Sequence, residues 1–313
     1  MNKQSKFIML CGLPGSGKSH WAETHKEELN VVIHSSDSIR AEFGDVNDQS
    51  KNELVFKILH QRIKDDLRAG KNVIYDATNL SRKRRIHFLQ NELRDIPCEK
   101  ICVLFATPFE ICSTNNFTRD RQVPEEVLYR MYKNFETPWY SEGWDDIQIV
   151  WYDYKGMIGF EYNYLADLEK FCEISHDNPH HTLSVGDHMK AAREYCNTLD
   201  NARHNPHLVW AVSMHDIGKP WTKSFTDSKG NPCETAHFFE HHNVGSYLAL
   251  FYLREIGVPD EDILHISLLI NLHMRPFLAY KHSDKAEAKD RILFGDKIVD
   301  EVLILHECDK AAH

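Results

Sequence analysis

The sequence predicts two domains. An α/β domain spans residues 1–155, with a parallel sheet and helices on both faces, and an all-α domain spans 165–313. Three observations predict this. Short apolar runs alternate with helical stretches between residues 5 and 151, which is the pattern of a parallel sheet. The run Lys6–Cys11 leads into GLPGSGKS at 12–19 and then into a helix start, the strand–loop–helix setting of a phosphate-binding loop. Of 20 histidines, only His20, His25, His34, His60 and His87 precede residue 150, and the rest crowd 176–313.

Taken in order, the strands of the first domain are expected at 7–11, 31–34, 72–76, 100–105 and 147–151. Helices are expected at 18–29, 49–69, 81–94, 107–117 and 124–136. Residues 152–175 are rich in aromatics and suggest a short connector. Beyond it the spacing predicts helices at 184–199, 207–218, 241–256, 260–273 and 285–310, with dense turn signals in the loop 226–232. No internal repeat or low-complexity tract occurs.

Length and composition agree with two ordinary cores: 313 residues, 42% hydrophobic and 27% charged. The net charge of −10 argues against a protein that coats nucleic acid through bulk positive charge. It leaves room for a local basic groove, for which Arg82-Lys83-Arg84-Arg85 and the pair Arg119/Arg121 are candidates, although a short basic run is more often a solvated face. Eight scattered cysteines without a C-x-x-C pair fit reduced thiols in a cytoplasm-like compartment. No charged-then-apolar leader and no membrane-length apolar run is seen, so a cytoplasmic location without membrane contact is expected.

The loop carries its own chemistry. Gly12, Pro14, Gly15, Ser16 and Gly17 shape a backbone whose N–H groups face phosphate oxygens at the positive end of a helix. Lys18 reaches β and γ phosphates, and the Ser19 hydroxyl suits Mg²⁺. Later strand ends are expected to serve the same site. Asp37, in Ser35-Ser36-Asp37-Ser38-Ile39-Arg40, follows the second strand and is either a base for an acceptor hydroxyl or a helix cap. Asp76, which ends the third strand, either caps the helix near Ser81 or holds Mg²⁺ through water. Arg119 and Arg121 suit a lid that neutralises phosphoryl charge, with their division of roles open.

The series GLPGSGKS, SSDSIR, DATNLSRKRR, RDRQVPEEVLYRMY and EGWDDI resembles the polynucleotide 5′-kinase family of P-loop phosphotransferases over nearly all of residues 5–151. The resemblance implies a P-loop kinase domain using ATP or another NTP with Mg²⁺. It implies that Asp37 takes the proton of a 5′-hydroxyl, that Arg40 contacts the acceptor's 3′-phosphate, and that Arg119 and Arg121 cover the donor.

In the second half, MHDIGKP at 214–220 places His215 beside Asp216 at a helix end. His181, Thr182 and the run to His188 stand upstream; His241-His242-Asn243-Val244-Gly245, His273 and Asp309 stand downstream. This order resembles the HD-superfamily metal phosphohydrolases, most nearly the HD domain appended to bacterial tRNA nucleotidyltransferases, over roughly 175–313. The resemblance implies an all-α HD domain with metal ligands His188, His215, Asp216 and Asp309, and with His241 and His273 completing a second metal. His242 is the rival of His241. Such ligands suit one or two of Mn²⁺, Co²⁺, Ni²⁺, Fe or Zn²⁺. Lys219 is a candidate for the substrate phosphate, and His180 and His181 for supporting or capping roles. A 5′-hydroxyl kinase joined to such a hydrolase suggests the healing of nucleic-acid ends, RNA foremost, with a separate ligase as partner. The alternative is a small-molecule kinase joined to a nucleotidase.

Overall fold

The computed structural model describes residues 4–44, 48, 50–119, 121–157, 159–179 and 182–313. His180, His181 and Asp120, which fall in the sequence motifs, lie outside the described residues. The chain divides into two compact units, residues 1–132 with 138–153, and residues 133–137 with 154–313.

In the first unit the strands are β1 (Ser5–Cys11), β2 (Val31–Ser35), β3 (Asn72–Asp76), β4 (Cys98–Ala106) and β5 (Asp146–Trp151). All pair in parallel, in the order β2-β3-β1-β4-β5. Their apolar side chains, such as Ile8, Leu10, Ile74, Val103 and Phe105, are buried, as expected of a sheet covered on both faces. The helices are α1 (Lys18–Leu29), α2 (Ser36–Ala41), α3 (Asn52–Arg68), α4 (Arg82–His87), α5 (Phe109–Thr118) and α6 (Glu125–Lys133). The register sets Leu10 and Ser35 beside Asp76. The loop after β1, the turn after β2 and the end of β3 therefore share one carboxyl edge, where α/β sheets bind ligands.

The short α2 starts inside the expected 35–40 cluster and ends one residue past it, and the helix expected at 81–94 changes to π geometry over Phe88–Glu92.

The second unit contains α7 (Tyr164–Phe171), α8 (Val185–Thr198), α9 (Pro206–Met214), α10 (Lys219–Thr222), α11 (His241–Glu255), α12 (Asp260–Leu272), α13 (Arg275–Leu278), α14 (Asp284–Phe294) and α15 (Asp296–Ala311). Helices α11 and α12 are buried around almost their whole girth, so they form the centre of this unit.

Three expectations need correction. The unit is not all-α: β6 (Ser224–Thr226) and β7 (Pro232–His237) form an antiparallel hairpin around the turn-rich loop. The helix expected over 285–310 is two, because Gly295 adopts φ 85°, a left-handed conformation that ends α14. The boundary is not a simple cut at 155–165, since residues 133–137 belong to the second unit and α7 occupies part of the expected connector.

Candidate nucleotide site and candidate metal centre

The end of β3 clamps the phosphate-binding loop. Gly12 N–H donates to the Thr78 carbonyl (3.0 Å), and Asn79 Nδ2 donates to the Leu10 carbonyl (2.8 Å). Gly15 has φ 80°, and a Cβ there would lie 2.2 Å from the Cys112 carbonyl, so both conformation and packing exclude a side chain. Gly17 is also left-handed, at φ 93°, and caps α1. Pro14 is buried and has no N–H to donate, so it restricts the loop rather than binding through its backbone.

Lys18 is buried, and its Nζ donates to the Leu13 carbonyl (2.6 Å) and Ser16 Oγ (3.2 Å). Burial lowers its pKa, with Asp76 opposing that effect. Ser19 Oγ donates to Asp76 Oδ2 (2.7 Å). Ser81 occupies the N-cap position of α4, so Asp76 is not that helix's cap. Burial raises the Asp76 pKa against the pull of Ser19 and Lys18. A hydroxyl bonded to a carboxylate beside the loop is a donor set that fits Mg²⁺.

Ser35, not Asp37, caps α2, accepting the Asp37 N–H at 3.2 Å. The Asp37 side chain is thereby available to other groups. Its Oδ1 accepts from Arg40 Nη1 (2.9 Å) and pairs with Arg121 Nη1. Arg40 is buried, donates from Nη2 to Asn52 Oδ1 (2.6 Å), and its buried Nε has no hydrogen-bond partner among the described residues. Arg119 Nε donates to the Arg121 carbonyl, which ties the two arginines together. Burial lowers the Arg119 pKa, while Asp37 and Asp76 act in the opposite direction.

The basic run at 82–85 does not present one face to a ligand. Arg85 is buried, gives a two-pronged ion pair to Glu142 (2.7 Å to each oxygen), and donates to the Asn79 and Leu80 carbonyls. Arg82 is buried as well, with its Nε 3.6 Å from Glu142, whereas Lys83 and Arg84 are exposed. The EGWDDI segment thus supplies a buried counterion, and the middle of DATNLSRKRR is largely architectural.

In the second unit, six predicted side chains converge. His188 comes from α8, His215 and Asp216 from the turn after α9, His241 from the start of α11, His273 from the end of α12 and Asp309 from α15. His188 Nε2 lies 2.9 Å from Asp309 Oδ1, 3.2 Å from His215 Nε2 and 3.5 Å from Asp216 Oδ2. His241 Nε2 lies 3.2 Å from Asp216 Oδ1 and 3.1 Å from His273 Nε2. Asp216 therefore bridges two ligand groups, His188 with His215 on one side and His241 with His273 on the other.

The donor chemistry fits cations. The Nδ1 atoms of His215, His241 and His273 lie 2.7–2.8 Å from the carbonyls of Val212, Phe238 and Ile270. Since a carbonyl only accepts, these contacts place the proton on Nδ1 and turn the Nε2 lone pair inward. When neutral, imidazoles in that tautomer bring lone pairs face to face, an arrangement a shared cation satisfies. Asp216 Oδ2 is buried and accepts no hydrogen bond, although Lys219 Nζ forms an ion pair with it at 2.6 Å. Burial works to raise the Asp216 pKa, but Lys219 and His215 outweigh it and hold the carboxyl well below its usual range.

Gly218 makes the convergence possible. A Cβ at this position would lie 2.1 Å from the His241 carbonyl and 2.6 Å from Gly245 N, so the turn after Asp216 packs backbone to backbone on the start of α11. The same contact orients His241 rather than its neighbour. His242 Nε2 instead lies 3.6 Å from Glu240.

Sequence reasoning missed His176. This residue is buried, and its Nε2 lies 3.0 Å from Lys219 Nζ. Burial and the neighbouring Lys219 charge lower its pKa to about 4. Its only signal in the sequence is its place at the start of the histidine-rich stretch.

Known proteins resemble the first half of the chain. Residues 7–138 match the family described as "AAA domain". The chain is 29% identical over 144 residues to the L-seryl-tRNA(Sec) kinase of Methanococcus maripaludis, which covers 44% of this chain and 56% of that protein. The chain thus spans about half the length of that relative. Among solved structures, one of the Pnkp1/Rnl/Hen1 RNA repair complex is similar at 22% identity and TM-score 0.39, over 43% of this chain and 45% of that chain. A second, of the Pnkp1/Rnl/Hen1 complex, is similar at 26% identity and TM-score 0.34, over 40% and 44%. No helix among the described residues is long and apolar enough to cross a membrane. The loop, the sheet order and the family match agree that the first unit is a kinase-like P-loop domain.

Proposed function

We propose that this chain heals nucleic-acid ends, phosphorylating a 5′-hydroxyl with its P-loop unit and removing a 2′,3′-cyclic phosphate with its histidine-rich unit. The observation that carries the reading is the pairing, in one chain, of an arginine-flanked carboxylate on a P-loop sheet edge with a buried centre of four histidines and two aspartates. The acceptor is taken to be an RNA end, with a separate ligase sealing the product.

For the kinase, Asp37 accepts the proton of the 5′-hydroxyl as its oxygen bonds to the γ phosphorus and the bond to the leaving nucleoside diphosphate breaks. Arg40, half of a charged pair with Asp37, suits the acceptor's neighbouring phosphate. Arg119 and Arg121 release their present partners to meet charge developing on the γ oxygens. Lys18 exchanges its contacts within the loop for donor phosphate oxygens.

For the hydrolase, His188, His215, Asp216 and Asp309 are assigned to one cation, and Asp216, His241 and His273 to a second. When bound, transition-metal cations supply Lewis acidity and activate water. Lys219 binds the phosphate, and the buried centre excludes bulk solvent from it. One water opens the cyclic diester to a monoester, and a second releases inorganic phosphate and leaves a hydroxyl.

The test is to incubate the full chain with ATP, Mg²⁺ or Mn²⁺ and an RNA bearing 5′-hydroxyl and 2′,3′-cyclic phosphate ends, and to resolve both ends. A 5′-phosphate and a free 3′ end are expected. Phosphorylation of mononucleosides without any of the RNA would overturn the acceptor assignment in favour of a small-molecule kinase. The name of the curated relative supplies a third acceptor for the same assay, seryl-tRNA, and transfer to it alone would also overturn the end-healing reading.

A further inference from the structure

We propose that His176 is a positioning residue for phosphate hydrolysis, holding Lys219 so that one N–H of its ammonium is directed at the substrate phosphate. This proposal rests on the phosphohydrolase reading of the histidine-rich unit.

Lys219 is an ammonium with almost no access to water, at 5% exposure. Such a group has three N–H donors and no acceptor, and burial without partners is costly. Asp216 Oδ2 draws one side of it at 2.6 Å, and His176 Nε2 lies 3.0 Å from another. The Phe238 ring stands beside it, with its centroid 5.4 Å from Nζ. The hydrogen bond to His176 and the charge of Asp216 hold the ammonium on two sides, which restricts the direction left to its remaining N–H. A flexible four-carbon side chain becomes a donor of fixed direction, as charge stabilisation without reorganisation requires.

His176 is built for this task. Its Nδ1 lies 2.8 Å from the Leu183 carbonyl, which places the proton on Nδ1 and leaves the Nε2 lone pair for Lys219. The ring is 1% exposed and stands edge-on to the rings of His188 (5.8 Å) and Phe238 (5.7 Å), so it cannot swing away. It is not grouped with the cation ligands: its Nε2 faces a positive ammonium, which would repel a metal from that side. Without His176, the ammonium is free to collapse onto Asp216 and loses its aim.

The test uses the full chain loaded with Mn²⁺ and an RNA ending in a 2′,3′-cyclic phosphate. His176→Ala should lower kcat/KM about 10- to 100-fold, the range for residues that orient active-site groups, with bound manganese unchanged. His176→Gln returns an acceptor at the reach of Nε2 and should recover much of the loss. In a Lys219→Ala background, His176→Ala should cost nothing further, because the two act as one unit. A direct readout needs no turnover: the ammonium protons of ¹⁵N-labelled Lys219 should exchange with water about tenfold faster or more in His176→Ala, once the charge-assisted bond is lost. Additive losses in the double variant, or unchanged ammonium exchange, would overturn the positioning role while leaving the hydrolase reading standing. Failure of the wild-type chain to hydrolyse the RNA with Mn²⁺, Co²⁺ or Ni²⁺ would overturn the hydrolase reading, and the positioning role with it.

Discussion

The two units gather their polar groups in opposite ways. In the P-loop unit the binding groups are backbone N–H groups and side chains at the ends of three adjacent parallel strands, β1, β2 and β3. Asp37 among them is accessible, at 42% exposure, and is held by the guanidinium groups of Arg40 and Arg121. In the histidine-rich unit the groups are buried side chains drawn from five parts of the chain, with their tautomers fixed by backbone carbonyls. One site keeps a part-exposed carboxylate between arginines, while the other is a buried cluster whose donor atoms already converge. The difference teaches why a short contiguous motif identifies the first site, whereas the second is a set of spaced residues that has no meaning until the helices pack.

The comparison breaks most sharply if the two sites depend on each other. Lys18→Ala should reduce phosphoryl transfer to background and leave hydrolysis of the cyclic phosphate at the wild-type rate. Loss of both activities in a folded variant would show that the sites are coupled. The reciprocal change is Asp216→Ala, which removes a carboxylate shared by both ligand groups. Elemental analysis should show metal lost from both positions and phosphoesterase activity abolished, with kinase activity retained in Mg²⁺. Full hydrolysis by a metal-stripped chain would remove the basis for calling this a metal centre.

Smaller effects sharpen the contrast within each unit. Asp37→Asn should keep nucleotide affinity and lower transfer by about 10²-fold or more, the usual contribution of a general base. Normal labelling of a 5′-hydroxyl oligonucleotide would exclude that role. Arg119→Ala and Arg121→Ala should each lower kcat more than they raise KM for ATP, because they would meet charge that grows in the transition state. Normal kcat with raised KM would make them ground-state binders. The smallest effect separates neighbours: His241→Ala should lose part of the bound metal and His242→Ala none. A deficit confined to His242→Ala would reverse the assignment.

Much of the fold was legible because the α/β unit declares its period locally. Strand β3 and helix α1 fall where the apolar pattern puts them, and the glycines of 12–19 fix the loop between β1 and α1. The misses have particular causes. The hairpin of β6 and β7 is short and half exposed, so its alternation is weak against the turn residues it encloses. A single helix over 285–310 satisfies the apolar spacing on both sides of Gly295, and only the left-handed backbone there divides it. The 82–85 run reads as a charged surface because nothing near it in sequence shows that Glu142, 57 residues from Arg85, will bury two of its arginines.

The sequence by itself determined the phosphate loop, the strands that feed it along the chain and the residue types of the candidate metal centre, since backbone curvature and donor chemistry are properties of the residues present. Only tertiary structure decided that His241 rather than His242 turns inward and that His176 meets Lys219. Those outcomes depend on contacts between segments remote in sequence. The packing of Gly218 against the His241 carbonyl is the clearest case: it leaves no room for a Cβ and sets the distance from Asp216 to the second pair of histidines.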